Sequence, residues 1–248
     1  MIIKNPFADW DVSITKKYPP VKKKVPQKPA SRIVNRDYSK VFIIGFNKTG
    51  TTTMAKLLRQ FGLKVPNEIV GEMLAEEWIL QGRTDRLMRY CETADAFQDI
   101  PFSFPLLYKK LYERFPKAKF ILTTRDSDDQ WVDSLMGFHN KIYASNKEVG
   151  VTADDLASQN YVYKGWSLDV RKWIYDYPDI AVNDREAYKK VYNSHNTDVL
   201  AFFQDKQDQF LHMNVSKNQD FSRLCSFLNV ETDLKEFPWA NKTSTIEV

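Results

Sequence analysis

Short apolar runs alternate along this chain with longer segments in which apolar residues recur every three or four positions. Residues 41–44, 96–98, 120–122 and 209–214 have the length and composition that favour buried strands, and the run at 209–214 is expected to be the last strand. Helical periodicity covers residues 51–61, 69–78, 87–91, 105–115, most of 128–203 and 221–228. Strands that alternate with helices predict an α/β fold, with a central parallel β-sheet flanked by helices on both faces.

The segment before Ser39 differs in composition from the rest. Residues 12–36 contain eight lysines and arginines, four prolines and no acidic residue. Since proline cannot continue a helix or pair in a central strand, we predict an extended basic arm over residues 1–38 and one domain over residues 39–248. Such an arm can contact nucleic acid, anionic lipid or another subunit, but a solvated tail has the same composition, so no nucleic-acid partner is predicted.

Composition narrows the class of protein further. Apolar residues make up 43% of the chain, which is enough to bury a core and excludes a wholly disordered protein. The apolar run at 41–44 is far shorter than the roughly 20 residues that span a bilayer, and the N-terminus lacks the apolar block of a secretory signal. Cys91 and Cys225 cannot form a disulfide framework. We therefore expect a cytoplasmic protein without a membrane span.

A glycine-bounded loop joins the first strand of the domain to its first helix. Its residues are Gly45, Phe46, Asn47, Lys48, Thr49, Gly50, Thr51, Thr52 and Thr53. Backbone N–H groups at a helix N-terminus have a partial positive charge and bind phosphate, and threonine hydroxyls add further donors. Residues 47–53 are therefore predicted to bind the phosphate of a nucleotide, although a plain strand–turn–helix junction would also contain such residues.

The lysine of this loop is displaced from the position it has in nucleotide hydrolases. A Walker A loop has its lysine directly after the second glycine, whereas here Lys48 precedes Gly50 and Thr51 takes the lysine position. In a kinase or hydrolase this would misplace the charge that holds the β- and γ-phosphates. A nucleotide-dependent kinase or hydrolase stays open as one alternative, and a nucleotide-binding protein without catalysis as another.

Residues 48–52 resemble the 5′-phosphosulfate loop of the P-loop sulfotransferases, which use 3′-phosphoadenosine 5′-phosphosulfate (PAPS). In that family an arginine at the end of the central strand and a serine in the next helix hold the donor's 3′-phosphate. Arg125 and Ser134 match this pair, at a spacing of nine residues, which is one more than the family leads us to expect. Arg125 would otherwise form an ion pair with Asp126 or Asp128, and Ser134 would be an ordinary helix residue.

The resemblance extends over residues 40–243 and implies a P-loop NTPase-like sulfotransferase fold. It also implies transfer of a sulfuryl group from PAPS to a hydroxyl or amine of a cytoplasmic small-molecule or glycan-precursor acceptor. No His, Cys or carboxylate cluster has the spacing of metal ligands, so no metal is expected. Asn241 and Lys242 are candidates for the family's C-terminal loop, which closes on the 3′-phosphate.

Three residues are candidates for catalysis. Lys48 would neutralise the charge that builds on the departing nucleotide. Asp99, two residues before Pro101, occupies the position of the family's general base, although it could instead cap the following helix. His195 is the rival base, with a hydrogen-bonded structural histidine as its other interpretation.

An aromatic-rich helical segment precedes His195. It contains Tyr143, Tyr161, Tyr163, Trp166, Trp173, Tyr175 and Tyr177. These rings could form the wall of an acceptor pocket, since such sites are mostly apolar, or they could be helical core. His139 and His212 lie in no motif and are expected to be structural.

Overall fold

The computed structural model describes residues 31–176 and 178–238. Its strands are β1 Ser31–Ile33, β2 Val41–Ile43, β3 Ala96–Phe97, β4 Lys119–Thr123, β5 Phe210–Met213 and β6 Val230–Thr232. Its helices are α1 Thr51–Gln60, α2 Glu68–Met73, α3 Ala75–Gln81, α4 Asp85–Cys91, α5 Leu107–Arg114, α6 Asp128–Tyr143, α7 Ala153–Ser158, α8 Trp166–Tyr175, α9 Arg185–Phe203 and α10 Asn218–Phe227.

Four of these strands form one parallel sheet in the order β3-β2-β4-β5. Phe42 of β2 pairs with Phe120 of β4, and Phe120 pairs with Phe210 of β5. Because all four strands run the same way, their carboxyl ends meet at one edge of the sheet. The loop after β2, the loop after β3 and the end of β4 therefore lie beside one another.

Successive residues of a strand point to opposite faces of the sheet, so each strand contributes to two apolar clusters. Helices cover both faces. Phe42 and Phe120 are buried in one apolar cluster together with Phe203 of α9. Val41 and Ile43 are buried in a second cluster with residues of α1 and α10. This arrangement confirms the predicted α/β fold with a parallel sheet flanked by helices.

The strand predicted at residues 209–214 is present as β5, but the prediction that it is the last strand is wrong, because β6 follows α10. Strand β6 pairs antiparallel with β1, and Ser31 lies opposite Thr232 in this two-stranded sheet. The sequence of β6 is only Val-Glu-Thr, which is too short and too polar to show a strand pattern. Residues 31–38 of the predicted arm include β1, and residues 1–30 lie outside the described residues.

The segment from Asp128 to Phe203 forms four helices, α6 to α9, as its mostly helical pattern predicts. Their aromatic residues build a third cluster, in which Trp131 and Tyr192 stack with ring centroids 4.3 Å apart. Phe46, in the loop after β2, lies in the same cluster. The helical segment is therefore packed directly onto this loop. Within the described ranges, no helix has both the length and the apolar composition needed to cross a membrane.

Candidate functional site

The conformation and close packing of the loop between β2 and α1 require glycine at positions 45 and 50. Gly50 precedes α1 with φ +105°, and a Cβ there would lie 2.4 Å from Val215 Cγ2. A Cβ on Gly45 would lie 2.2 Å from the carbonyl oxygen of Thr123. Lys48 adopts φ +66°, a left-handed conformation that is uncommon for a residue with a side chain. The loop is thus held in a tight turn that leads directly into α1.

Three hydrogen bonds anchor this loop to β4 and α6. The Trp131 indole N–H donates to the Asn47 carbonyl at 3.0 Å, and Arg125 Nε donates to the Lys48 carbonyl at 2.6 Å. The hydroxyls of Thr49 and Thr123 lie 2.7 Å apart. Thr49 is fully buried, so its side chain anchors the loop and does not face solvent.

The carboxyl edge of the sheet opens into a cavity of about 570 Å³. We call one part of this cavity the phosphate half. It is formed by the β2–α1 loop, the start of α1, the residue Arg125 after β4, the first part of α6 and two residues from later in the chain. Its lining residues are Asn47, Lys48, Gly50, Thr51, Thr52, Thr53, Arg125, Gln130, Ser134, Val215 and Phe237. The helical half comes from α2, the loop after β3, the second part of α6, Tyr161 and α8: Glu68, Glu72, Asp99, Ile100, Phe138, His139, Tyr143, Tyr161, Trp166, Ser167, Val170 and Arg171.

Lys48 connects the two halves of the cavity. Its ammonium nitrogen lies 3.7 Å from the centroid of the Phe138 ring, a cation–π contact. Burial, together with the nearby Arg125 charge, lowers the pKa of Lys48 to about 8. Lys48 is therefore still mostly protonated at neutral pH, in a position where an incoming anion would raise its pKa.

The Arg125 guanidinium faces the cavity without a carboxylate partner in the described part of the chain. Its two candidate partners are engaged elsewhere, because Asp126 pairs with Lys217 at 2.6 Å and Asp128 accepts from Asn193 Nδ2 at 2.7 Å. The backbone N–H of Arg125 donates to the Tyr192 hydroxyl at 3.1 Å. The backbone N–H and Nε of Arg125 are thus held by hydrogen bonds, and the residue lines the cavity.

Asp99 lies at the start of the loop after β3 and borders the helical half. Its two carboxylate oxygens accept from the Ile100 N–H at 3.0 Å and from the Thr51 hydroxyl at 3.2 Å. Burial raises the pKa of Asp99. The helix that follows, α5, begins at Leu107 with no side-chain cap, so Asp99 does not cap it.

The structure places His195 beneath the loop rather than in the cavity. Its Nε2 donates to the Ile44 carbonyl at 2.8 Å, and its ring lies 4.7 Å from that of Phe46. Burial lowers the pKa of His195, so the ring is neutral. His195 does not line the cavity as the described residues define it.

Four residues with ionisable side chains line the cavity but were not predicted as site residues from the sequence. They are Glu68, Glu72, His139 and Arg171. The four-residue spacing of Glu68 and Glu72 puts both on one face of α2, which was a signal in the sequence. Arg171 Nη2 lies 2.8 Å from His139 Nδ1, a contact between α8 and α6 that no motif announces.

Two of these four have strongly shifted ionisation. Burial, followed by the charges of Asp99 and Glu68, raises the pKa of Glu72 to about 9, so this carboxyl is protonated at neutral pH. Burial and the charge of Arg171 hold the pKa of His139 well below its usual value. His139 is therefore a neutral residue of the cavity wall, whereas the sequence suggested only a structural role.

The aromatic residues of the helical segment were predicted to form either a pocket wall or a core. Some of them line the cavity, and others are buried in the core. Tyr143, Tyr161 and Trp166 line the cavity, whereas Tyr175 is buried against Tyr188 with ring centroids 4.0 Å apart. The other candidates are placed as follows: Trp173 is partly buried at the third cluster, Tyr163 is exposed, and Tyr177 lies outside the described residues. Asn241 and Lys242 also lie outside the described residues.

Comparison with known families fits this site. A family model described as a sulfotransferase domain matches residues 40–246. A comparison with curated proteins found no match. The described residues contain no group of three or more His, Cys, Asp or Glu side chains that could hold a metal ion. The family match covers most of the chain and confirms the resemblance expected from residues 48–52 and 125–134, so the chain belongs to the sulfotransferase domain family.

Proposed function

We propose that this protein transfers a sulfuryl group from PAPS to a hydroxyl or amine of a small acceptor. Membership of the sulfotransferase domain family supports sulfuryl transfer in general. The observation that carries the choice of donor is the 2.6 Å hydrogen bond from Arg125 Nε to the Lys48 carbonyl, which joins two segments 77 residues apart. This bond places the cations Lys48 and Arg125 in the same wall of the cavity. A donor that carries phosphates at both its 5′ and 3′ positions would need one cation for each.

The phosphate half fits the 5′ end of such a donor. Helix α1 has no acidic residue in its first turn, so nothing offsets the partial positive charge of its N–H groups. Thr52 and Thr53 add hydroxyls at the same place and Lys48 adds an ammonium, whereas Thr51 would contribute its backbone N–H, because its hydroxyl donates to Asp99. These groups would hold the phosphosulfate, while Asn47, Thr49 and Gly50 shape the turn.

The 3′-phosphate would be held by Arg125 together with helix α6. Gln130, Ser134 and Phe138 line the cavity at intervals of four residues, so they form one stripe on α6. A guanidinium and a hydroxyl match a dianionic phosphate, because the guanidinium donates two parallel hydrogen bonds. We assign Arg125 and Ser134 to this phosphate. Asn241 and Lys242 stay predictions for the same group.

The bound donor supplies a sulfuryl group whose sulfur bonds to the acceptor as its bond to the bridging phosphate oxygen breaks. The Lys48 ammonium would neutralise the negative charge that develops on that oxygen. Asp99 would remove the proton that the acceptor loses. The Ile100 N–H and the Thr51 hydroxyl hold the Asp99 carboxylate in place, and burial makes it a stronger base than an exposed aspartate.

The donor is tested by binding and by transfer with the full-length chain. Adenosine 3′,5′-bisphosphate should raise the melting temperature in EDTA, because a ligand that binds only the folded state stabilises it. Transfer of label from radioactive PAPS to a panel of hydroxyl and amine acceptors then tests the reaction. Lys48→Ala should lose the transfer, whereas Lys56→Ala, an exposed lysine on α1, should retain it.

Each alternative has its own outcome in this experiment. Stronger stabilisation by ATP with magnesium would favour a kinase or hydrolase. Stabilisation by adenosine 3′,5′-bisphosphate without transfer to any acceptor would favour a nucleotide-binding protein without catalysis. A cytoplasmic location and a glycan-precursor acceptor remain predictions from the sequence.

A further inference from the structure

The helical half of the cavity contains several buried polar atoms that have no hydrogen-bond partner. Four such atoms are Glu72 Oε2, Trp166 Nε1, Ser167 Oγ and Arg171 Nε. All four residues line the cavity. Buried polar atoms in folded proteins are nearly always paired, because an unpaired one costs about 1–3 kcal/mol. A polar ligand in this cavity is one group that could pair with them.

Among these four residues, Arg171 carries a positive charge. Its exposed fraction is 4%, and within the described ranges no Asp or Glu oxygen lies within ion-pair distance of it. The groups around it are His139, Tyr175 and Tyr188. Burial lowers the pKa of His139 and raises the pKa of both tyrosines, so all three are neutral. A buried cation without a counter-ion is costly, and an anionic ligand would remove that cost.

The donors around Arg171 select one kind of anion. Trp166 Nε1 and Arg171 Nε can only donate, Ser167 Oγ can donate, and all three residues belong to the first two turns of α8. A planar guanidinium matches the two oxygens of a carboxylate, and the Trp166 N–H and the Ser167 hydroxyl offer further donors from the same helix. We propose that Trp166, Ser167 and Arg171 bind a carboxylate group of the acceptor, so that the substrate is a small hydroxy or amino carboxylic acid. This inference rests on the proposed sulfuryl transfer.

The other wall of the helical half explains how such an acceptor would be oriented. A Cβ on Gly71 would lie 3.3 Å from the Ile100 carbonyl oxygen, so α2 packs closely against the loop that contains Asp99. The charged carboxylates of this wall are those of Glu68, on α2, and Asp99, whereas the Glu72 carboxyl is protonated at neutral pH. An anionic end of the acceptor would be repelled from this wall and attracted to Arg171. The hydroxyl or amine at the opposite end of the acceptor would then point toward Asp99.

The size of the cavity limits the acceptor. Its volume of about 570 Å³ is typical of a site for a single small molecule. The nucleotide must share this volume with the acceptor. A polymer or a large apolar acceptor would therefore have to remain mostly outside, whereas a small carboxylic acid would fit within.

A binding experiment tests the carboxylate site without requiring transfer. The full-length chain, saturated with adenosine 3′,5′-bisphosphate, is titrated with acetate, benzoate, phenylacetate and 4-hydroxyphenylacetate, each compared with its neutral primary amide. We expect at least one acid to bind about 10- to 100-fold more tightly than its amide, as charge-assisted hydrogen bonds imply. Arg171→Met should abolish this preference, and Lys172→Met, an exposed neighbour on α8, should leave it intact.

Two further variants keep the test valid if Arg171→Met does not fold. Trp166→Phe removes one N–H donor with little change of shape, and Ser167→Ala removes one hydroxyl. Each should reduce the preference for acids over amides while adenosine 3′,5′-bisphosphate still binds as tightly as in the unmodified chain. In the transfer assay, the same acids that bind and carry a hydroxyl should be sulfated in preference to their amides.

The outcomes separate this inference from the proposed function. Transfer from PAPS without any preference for acids, or a preference that Arg171→Met leaves unchanged, would overturn the carboxylate site and leave sulfuryl transfer standing. A preference for acids that depends on Arg171 in a protein unable to use PAPS would do the reverse. If no acid in the panel binds more tightly than its amide, the inference is wrong.

Discussion

The two halves of the cavity satisfy their polar groups in different ways. In the phosphate half, the loop carbonyls of Asn47 and Lys48 accept from Trp131 and Arg125, and Thr49 is bonded to Thr123. In the helical half, polar atoms of four residues have no partner among the described residues. The phosphate half is thus preorganised by the protein itself, whereas the helical half is completed only by a ligand.

This difference indicates that the two halves have different roles, one in binding the donor and the other in binding the acceptor. The phosphate half uses backbone N–H groups and residues at the ends of adjacent strands, which suit a donor that is the same for every member of a family. The helical half uses side chains of α2, α6 and α8, which can change one at a time without disturbing the sheet. We therefore expect substitutions in the phosphate half to affect donor use and those in the helical half to affect acceptor choice.

The largest expected effect comes from the candidate base Asp99, which borders the helical half and accepts a hydrogen bond from Thr51 of the phosphate half. Asp99→Asn should lower kcat by about 10²–10⁴, the usual contribution of a general base. Affinity for adenosine 3′,5′-bisphosphate should stay unchanged, which calorimetry would show. Asp133→Asn, an exposed aspartate on α6, is the control. Normal turnover by Asp99→Asn would remove Asp99 as the base.

Lys48→Met should have the next largest effect, a loss of about 10²–10³ in kcat, because it deletes a charge that acts on the leaving oxygen. Single-turnover kinetics with bound PAPS would measure this step directly. A variant that lost only affinity for PAPS would show that Lys48 binds the donor without assisting the reaction.

The pH dependence sharpens the role of Lys48 further. Since burial and Arg125 lower its pKa to about 8, the protonated form is lost as the pH rises through that value. We expect kcat/KM for PAPS to fall above about pH 8. Lys48→Arg should move this fall to higher pH, since arginine stays charged. A fall that Lys48→Arg leaves in place would have to come from another group.

Arg125→Ala should have a moderate effect that is confined to the phosphate half. Discrimination between adenosine 3′,5′-bisphosphate and AMP should drop by about 10- to 100-fold, the range expected for charged hydrogen bonds. Competition binding with both nucleotides measures the ratio, and Ser134→Ala should reduce it less. Unchanged discrimination would place the 3′-phosphate elsewhere.

The smallest effect on catalysis is expected from His195→Asn. The substitution removes the hydrogen bond to the Ile44 carbonyl, so the free energy of unfolding should fall by about 1–3 kcal/mol. Turnover of the folded variant should be near normal, because His195 does not line the described cavity. A folded variant that binds nucleotide but does not turn over would restore His195 as the base.

The fold and the phosphate half could be predicted because their signals are local. The run at 41–44, the glycines at 45 and 50 and the strand before Arg125 each lie within a few residues of the feature they encode. Parallel strands then bring these segments together at one edge without any further information. The family match over residues 40–246 confirmed the family, and the parallel sheet confirmed the fold, while the binding role of residues 47–53 and 125 stays a prediction.

The helical half could not be predicted in the same way. The contact between His139 and Arg171 joins two helices that are 32 residues apart, and neither residue has a distinctive neighbour in the sequence. Glu72 looks like an ordinary helix-surface residue until the packing of Gly71 buries it. Strand β6 was missed for a related reason, since Thr232 pairs with Ser31, which lies 201 residues earlier in the chain.

That pairing joins the two ends of the described chain close to a residue of the phosphate half. The Ser31 and Thr232 hydroxyls meet at 2.6 Å across 201 residues, and closing so long a loop is entropically unfavourable until the sheet has folded. The β1–β6 pair should therefore form last and open first. Phe237, shortly after β6, packs edge-on against Phe221 of α10 and lines the phosphate half. Nucleotide binding should consequently slow amide exchange in β1 and β6, although neither strand touches the cavity.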